Sequence, residues 1–269
     1  MSAQDNHIDL PDILLFGAGK LGWHLGQRLK ERGCPLVQVF SRDQDRAAEL
    51  GSLLNVAWTN KLEELRHESG LVILAVRDDA ILTVAQQLHA GGFEDRLIVH
   101  TSGAMPLAAL AEVHPRAGVL YPLQTFSRQR KPDFEEIPFC IAAREPRDEI
   151  VLSAFASRLS QHVHLINDEQ RLALHVAAVF ANNFTNHMYH ISWQLLEGER
   201  LPFELLLPLI RETAARLSDG SPASMQTGPA SRGDSSTLQR HLDWLEQYPA
   251  HRELYQLLSQ RIAEASRKQ

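Results

Sequence analysis

Short apolar runs punctuate the first two thirds of the chain, at 13–16, 36–40, 71–76, 97–100, 118–121, 139–143 and 163–166. Runs this short, apolar at nearly every position rather than at alternate ones, mark strands buried on both faces of a parallel sheet. Amphipathic stretches separate them. Two are plain: 21–32, closed by Gly33, and 81–90, closed by Gly91 and Gly92, where glycine can take the left-handed turn that ends a helix. Strand alternating with helix from 12 to 166 predicts βα units, and so an α/β domain with a doubly wound Rossmann-type parallel sheet. After Asn167 the period changes. Apolar residues recur at helical spacing from Asp168 to about 196, a long helix opened by acidic residues that suit its positive end. The stretch 203–217 continues as helix, 218–234 is a loop rich in Gly, Pro and Ser, and 235–247 and 251–268 read as two more helices. The expected organisation is a polar, disordered tail at 1–11, a nucleotide-type α/β domain at 12–166 and an all-α domain at 167–269.

Charge and composition narrow the function classes. The 269 residues carry 27 basic and 33 acidic side chains, a net charge of −6, which argues against nucleic-acid and anionic-membrane binding, since both need basic surface. The two cysteines, Cys34 and Cys140, lack the spacing of a metal site and read as core residues in a reducing compartment. No window approaches the roughly 18 consecutive apolar residues of a membrane helix. The polar start, with Asp5, His7 and Asp9, lacks the basic end and apolar core of a secretory signal. A cytoplasmic protein acting on a small molecule is the expectation, with no nucleic acid, membrane or metal as partner.

The motif Gly17-Ala18-Gly19-Lys20-Leu21-Gly22 follows the first apolar run directly and opens an amphipathic helix, the context a dinucleotide fingerprint requires. The first glycine permits the tight turn, the second lets backbone approach a pyrophosphate, and the third lets helix and strand pack closely. The second run ends in Ser41-Arg42, where an NAD enzyme usually places an acid for the ribose hydroxyls. A carboxylate there would repel a 2′-phosphate, whereas Arg42 can pair with one and Ser41 can donate to it, so NADP is the expected cofactor. Asp43 reads as a helix cap. The run 71–76 ends at Val76-Arg77, at the carboxyl edge of another strand, so Arg77 is either a cofactor contact or a solvent-facing residue ahead of a helix opened by Asp79.

The stretch His100-Thr101-Ser102-Gly103-Ala104-Met105-Pro106 resembles the D-x-S-T-x-x-P segment of the β-hydroxyacid dehydrogenase superfamily, whose serine holds a substrate carboxylate or hydroxyl. Ser102 and Pro106 match by position; His100 stands in place of the acid and Gly103 in place of the threonine. The layout as a whole is similar to pyrroline-5-carboxylate reductase, ketopantoate reductase and prephenate dehydrogenase. Nearest of all is an uncharacterised bacterial family of Rossmann-like NADP-binding proteins with a helical C-terminal domain. The segments that carry this resemblance are Tyr121-Pro122-Leu123-Gln124-Thr125-Phe126, the stretch 175–184, and Thr227-Gly228-Pro229 through Asp234.

In the superfamily the long helix carries a catalytic lysine four residues before an asparagine. Placing that asparagine at Asn182 or Asn183 puts Ala178 or Val179 where the lysine belongs. On an ideal helix His175, Asn182 and Asn186 fall within roughly 20° of one another and Asn183 adjoins them. This polar stripe either lines a cleft or forms an internal network. His175 is the nearest group able to replace the lysine as acid or base, against the alternative of a structural histidine bonded to a carbonyl. The loop 226–234 precedes a helix whose amides, with Arg232, could hold a substrate carboxylate; simple capping by Asp234 is the other reading. His187 and His190, three apart, are too few to specify a metal site.

These readings converge on an NADP-dependent oxidoreductase moving hydride to or from a small carbonyl, imine or hydroxy acid. In that reading Ser102, His175, Asn182 and Asn183 are the catalytic candidates, and Ser102, Asn186 and Arg232 the substrate contacts. The cofactor contacts are Gly17, Gly19, Lys20, Leu21, Gly22, Ser41, Arg42, Val76 and Arg77. A non-catalytic NADP sensor explains the missing lysine most directly. A methyltransferase fits poorly without an acid after the second strand. Three helices beside one long one are little material for a core, so a homodimer is expected.

Overall fold

The computed structural model describes residues 10–267. Of the expected N-terminal tail, residues 1–9 lie outside that range. Leu10 packs on the core and Pro11 lies against Gly70, so the folded unit starts earlier than the polar pattern indicates.

In the first unit the chain runs β1 (Ile13–Phe16), α1 (Lys20–Glu31), β2 (Leu36–Phe40), α2 (Gln44–Leu54), β3 (Ala57–Thr59) and β4 (Leu71–Leu74). It continues through α3 (Asp78–Leu88), β5 (Leu97–His100), α4 (Leu107–Val113), β6 (Ala117–Pro122), β7 (Phe139–Ala143), α5 (Pro146–Leu159), β8 (Val163–Leu165) and α6 (Asp168–Ala178). One sheet of order β3-β2-β1-β4-β5-β6-β7-β8 holds every strand among the described residues. Both of its faces are covered, as the uninterrupted apolar runs require. Ile13 and Leu15 point into a cluster with Leu25 and Leu29 of α1, Leu50 of α2 and Phe155 of α5. Leu14 and Phe16, one residue out of step, meet Ile81 and Val84 of α3 and Leu110 of α4.

The sheet departs from the expected all-parallel pattern at one place. β7 runs antiparallel to β6, pairing Leu120 with Ile141, and β8 is parallel to β7. A parallel neighbour needs a crossover element, usually a helix, and residues 123–138 supply only the three-residue turn Phe134–Glu136, so the chain returns alongside β6 in the opposite sense. β3, three residues long, is too short to register as an apolar run; its Trp58 lies against Gly51 of α2.

Two compact units divide at Phe180/Ala181, so α6 belongs with the α/β unit instead of opening the helical domain at 167. Its first turn is tied there. Asn167 closes a capping box with Gln170, the Asp168 carboxylate accepts from the Leu107 and Ala108 amides at the start of α4, and Arg171 donates to the Met105 carbonyl. A π-helical segment, Val179–Phe184, interrupts the expected continuous α-helix. The second unit consists of α7 (Thr185–Gly198), α8 (Leu207–Ala215), α9 (Pro229–Arg232), α10 (Ser235–Trp244) and α11 (Pro249–Ser266), with α9 inside the stretch expected to be loop.

Candidate functional site

The turn between β1 and α1 is built as the glycine spacing demands. Gly17 sits at φ +113°, and a Cβ there would collide with the Ala75 carbonyl; a Cβ on Gly22 would collide with the Gly17 carbonyl. Gly19 has open space where its side chain would be. It is also the N-cap of α1, with no side chain satisfying the first amides and no acid in the first turn. Free amides and the positive helix end therefore face an opening that suits an anion. A cavity of about 480 Å³ lies there, lined by Gly17, Gly19, Ser41, Arg42, Val76 and Arg77 among others. Six of the nine expected cofactor residues thus meet in one place. Lys20, Leu21 and Gly22 lie outside the lining, Gly22 because its role is packing.

At the far end of this cavity the charges sort themselves. Asp43 accepts from the Arg46 amide as the N-cap of α2, and its carboxylate also pairs with the Arg46 side chain at 3.1 Å. Arg77 is paired in both its Nε and Nη2 with Asp79, at 3.2 and 2.9 Å. Arg42 has no hydrogen-bond or ion-pair partner among the described residues, and it lines both this cavity and an adjoining one of about 390 Å³. Among the described residues that line this cavity, Arg42 is thus the one cation without a counter-ion. Asn60, beyond β3, joins the lining and was not foreseen, because the strand that carries it there went unseen.

The loop after β5 gathers a second polar group. His100 is fully buried, and its Nδ1 accepts from the Ser102 amide at 3.2 Å. Burial, with the Arg171 guanidinium adding to it, pushes His100 down to about 3, so it stays neutral. Ser102 is buried too; its hydroxyl oxygen accepts from the Ala104 and Met105 amides at 3.1 and 2.9 Å, which ties the turn and leaves only the hydroxyl proton uncommitted. Arg171, 1% exposed, donates to Met105 O and to Asp168. Although burial works to raise it, the Asp168 carboxyl is held below its usual range by the Leu107 amide, Arg171 and the Ala108 amide.

His175, one turn beyond Arg171 on α6, meets the hydroxyl of Tyr121 at the end of β6, with Nδ1 and Oη 3.1 Å apart. Their rings meet edge to face with centroids 6.0 Å apart. Gly103 completes the group: a Cβ there would come within 2.6 Å of His175 Nδ1 and 2.8 Å of Tyr121 Cζ. The three segments singled out after β5, after β6 and on α6 thus converge. Tyr121 was not expected to carry chemistry, yet it ends an apolar run at the carboxyl edge of a strand, the position that should have drawn attention to it.

In the second unit Asn182, Asn183 and Asn186 are exposed. The π segment holds Asn182 and Asn183, so the ideal α-helical phase that aligned them with His175 does not apply across it. Asp234 caps α10 by accepting from the Thr237 amide, and hydrogen bonds from Thr237 and Ser236 bring it down to about 2. That carboxylate occupies the helix end where an anion was considered; Arg232, in the last turn of α9, is exposed. His187 and His190 have ring centroids 6.3 Å apart, and among the described residues no three metal-ligating side chains converge. Cys34 and Cys140 are buried and unpaired. Among the described residues no helix is long and apolar enough to cross a membrane.

A family model described as a domain of unknown function, DUF2520, matches residues 137–262. A candidate NADP oxidoreductase from Bacteroides fragilis is 42% identical, with a TM-score of 0.88 over 95% of this chain and 99% of that one. A Thermotoga maritima protein is 23% identical, with a TM-score of 0.78 over 95% of this chain and 99% of its own. An imine reductase from Myxococcus stipitatus, in complex with NADP+, shares the fold at 16% identity and a TM-score of 0.67, over 96% and 95% of the two chains. No curated protein matches. The fold and the turn define a Rossmann-type nucleotide-binding protein. The chain belongs to the family of Rossmann-like NADP-binding proteins with a C-terminal helical domain, the family of the Bacteroides fragilis protein.

Proposed function

We propose that this protein is an NADP-dependent oxidoreductase that transfers hydride between NADP(H) and a small carbonyl, imine or hydroxy-acid carbon. The observation that carries the reading is the unpaired Arg42 at the end of a cavity that begins on the bare amides of α1. Those amides hold the pyrophosphate, Gly19 lets it approach, and Arg42 with Ser41 holds the ribose phosphate. When bound, the reduced cofactor supplies a hydride from its nicotinamide ring. His175 exchanges the proton that must accompany it, in place of the lysine absent at Ala178 and Val179. Ser102, Asn182, Asn183, Asn186 and Arg232 are the remaining polar groups proposed for substrate. The name of the Bacteroides fragilis relative supports the class of reaction. The protein is further proposed to work as a cytoplasmic homodimer.

The first test reads the cofactor directly. Arg42→Asp should weaken NADPH binding by at least about thirtyfold in a fluorescence titration, the worth of one charge-assisted pair, while NADH binding stays within a few-fold. Equal losses for both nucleotides count against the assignment. A panel of keto acids, imines and hydroxy acids then separates enzyme from sensor: tight NADPH binding with no oxidation on any compound favours a non-catalytic protein, which is the outcome the absent lysine would explain.

A further inference from the structure

We propose that Tyr121 and His175 form a two-residue proton relay, in which His175 Nε2 faces the substrate and Tyr121, through Nδ1, supplies the proton that replaces the one given up. The inference rests on the oxidoreductase reading above and deepens it.

Three observations carry it. The Tyr121 hydroxyl lies 3.1 Å from His175 Nδ1 and, among the described residues, has no other hydrogen-bond partner. A buried phenol proton needs an acceptor, and Nδ1 is the one in reach, so neutral His175 accepts there and keeps its own proton on Nε2. Second, the pair packs so close to Gly103 that a Cβ there would lie 2.6 Å from His175 Nδ1 and 2.8 Å from Tyr121 Cζ, so the two rings meet in space that only a glycine leaves open. Third, Tyr121 is buried while His175 is half-exposed, which places the reservoir inside and the exchanging ring at the surface of its unit.

In the direction of reduction, a hydride delivered by the bound cofactor would bring its electron pair to the substrate carbon, and the π pair of the C=O or C=N bond would move onto the heteroatom. The heteroatom takes the proton from Nε2. The Tyr121 O–H bond breaks as an Nδ1–H bond forms, leaving neutral imidazole, a phenolate and the reduced product. An alkoxide or amide anion is a far stronger base than a phenolate, so the exchange runs downhill. Solvent returns the proton through the same ring. The charged and titratable groups around the pair are Arg171 on α6, Cys140 on β7, Asp78 at the start of α3 and, beside Arg171, His100 and Asp168. Burial first, then Cys140, pushes the phenol up, and Arg171 opposes them by stabilising the phenolate.

The relay draws its proton from the Tyr121 phenol, which burial pushes up, so reduction should persist as pH rises. With a compound reduced in the panel, wild-type kcat is expected to stay flat from pH 7 to 9. Tyr121→Phe, left without the phenol proton, should fall progressively as pH rises over that range. A variant that loses activity by the same factor at every pH, or loses none, overturns the relay. The second arm needs no substrate. Long-range proton–nitrogen spectra of histidine-labelled protein, with His175 assigned by its disappearance in His175→Asn, should show the neutral ring protonated on Nε2 and Nδ1 hydrogen-bonded. Tyr121→Phe, and separately Gly103→Ala, should remove that hydrogen-bond shift at Nδ1. A proton found on Nδ1, or an Nδ1 signal indifferent to Tyr121→Phe, overturns the proposal. If no panel compound turns over, it is the oxidoreductase reading that fails, and the spectra alone decide the pair.

Discussion

At the scale of single residues, His100 shows how position converts a motif into a different physical object. It lies in a stretch that resembles a dehydrogenase segment with an acid at this position, but it is fully buried beside Arg171 and cannot hold charge. Its folded value of about 3 lies below the 6.5 of the unfolded chain, so the unfolded state binds the extra proton between those pH values. Stability from this residue is whole above about pH 6.5 and drains away as pH falls toward 3, by an amount bounded at about 5 kcal/mol. Stepped-pH denaturation should therefore show the wild type losing stability from pH 6.5 to 4, and His100→Asn a clearly flatter dependence. An unchanged slope in the variant would mean that another group titrates. The neutral state of His100 was not legible in the sequence, because it follows first from burial and then from a cation 71 positions away along the chain, both of which only the fold supplies. Arg42 was legible, since its role depends on local spacing from the glycine turn and not on distant partners.

The scale of elements explains most of what sequence pattern can and cannot foretell. Strands buried on both faces announce themselves as apolar runs, and seven of the eight were placed by that signal. The sense in which β7 enters the sheet was hidden, because it is set by the missing helix in 123–138. The π segment was hidden for another reason: one wider turn leaves residue composition unchanged while moving every later side chain around the axis. Asp168 is the clearest case of an element held by a single carboxylate. It accepts from two amides of α4 and from Arg171, so it caps one helix from the first turn of another. Asp168→Ala would uncap α4 and leave a buried guanidinium facing no anion, and should cost about 2–4 kcal/mol in urea unfolding. Asp168→Ala within about 0.5 kcal/mol of wild type would show that these bonds are no stronger than contacts to water.

For the whole molecule the informative feature is apolar surface on the second unit. Leu205, Leu209 and Leu217 are 62%, 63% and 58% exposed, and Trp193 and Trp244 each 42%. A helical unit of this size rarely leaves so many large apolar side chains in water, and a second copy of the chain is the partner proposed to cover them. Sedimentation at micromolar concentration should give about twice the mass of one chain, and Leu205→Glu with Leu209→Glu should return it to about one. A monomer in the wild type refutes the dimer outright.

Gly103 carries one consequence for how such a site can change over time. The threonine of the dehydrogenase segment and the Tyr121–His175 pair compete for the same few cubic ångströms beside that backbone. A chain with threonine at position 103 would have to surrender the pair as it stands. The glycine and the pair are thus tied to each other: a bulkier residue at position 103 cannot coexist with the two rings as they stand.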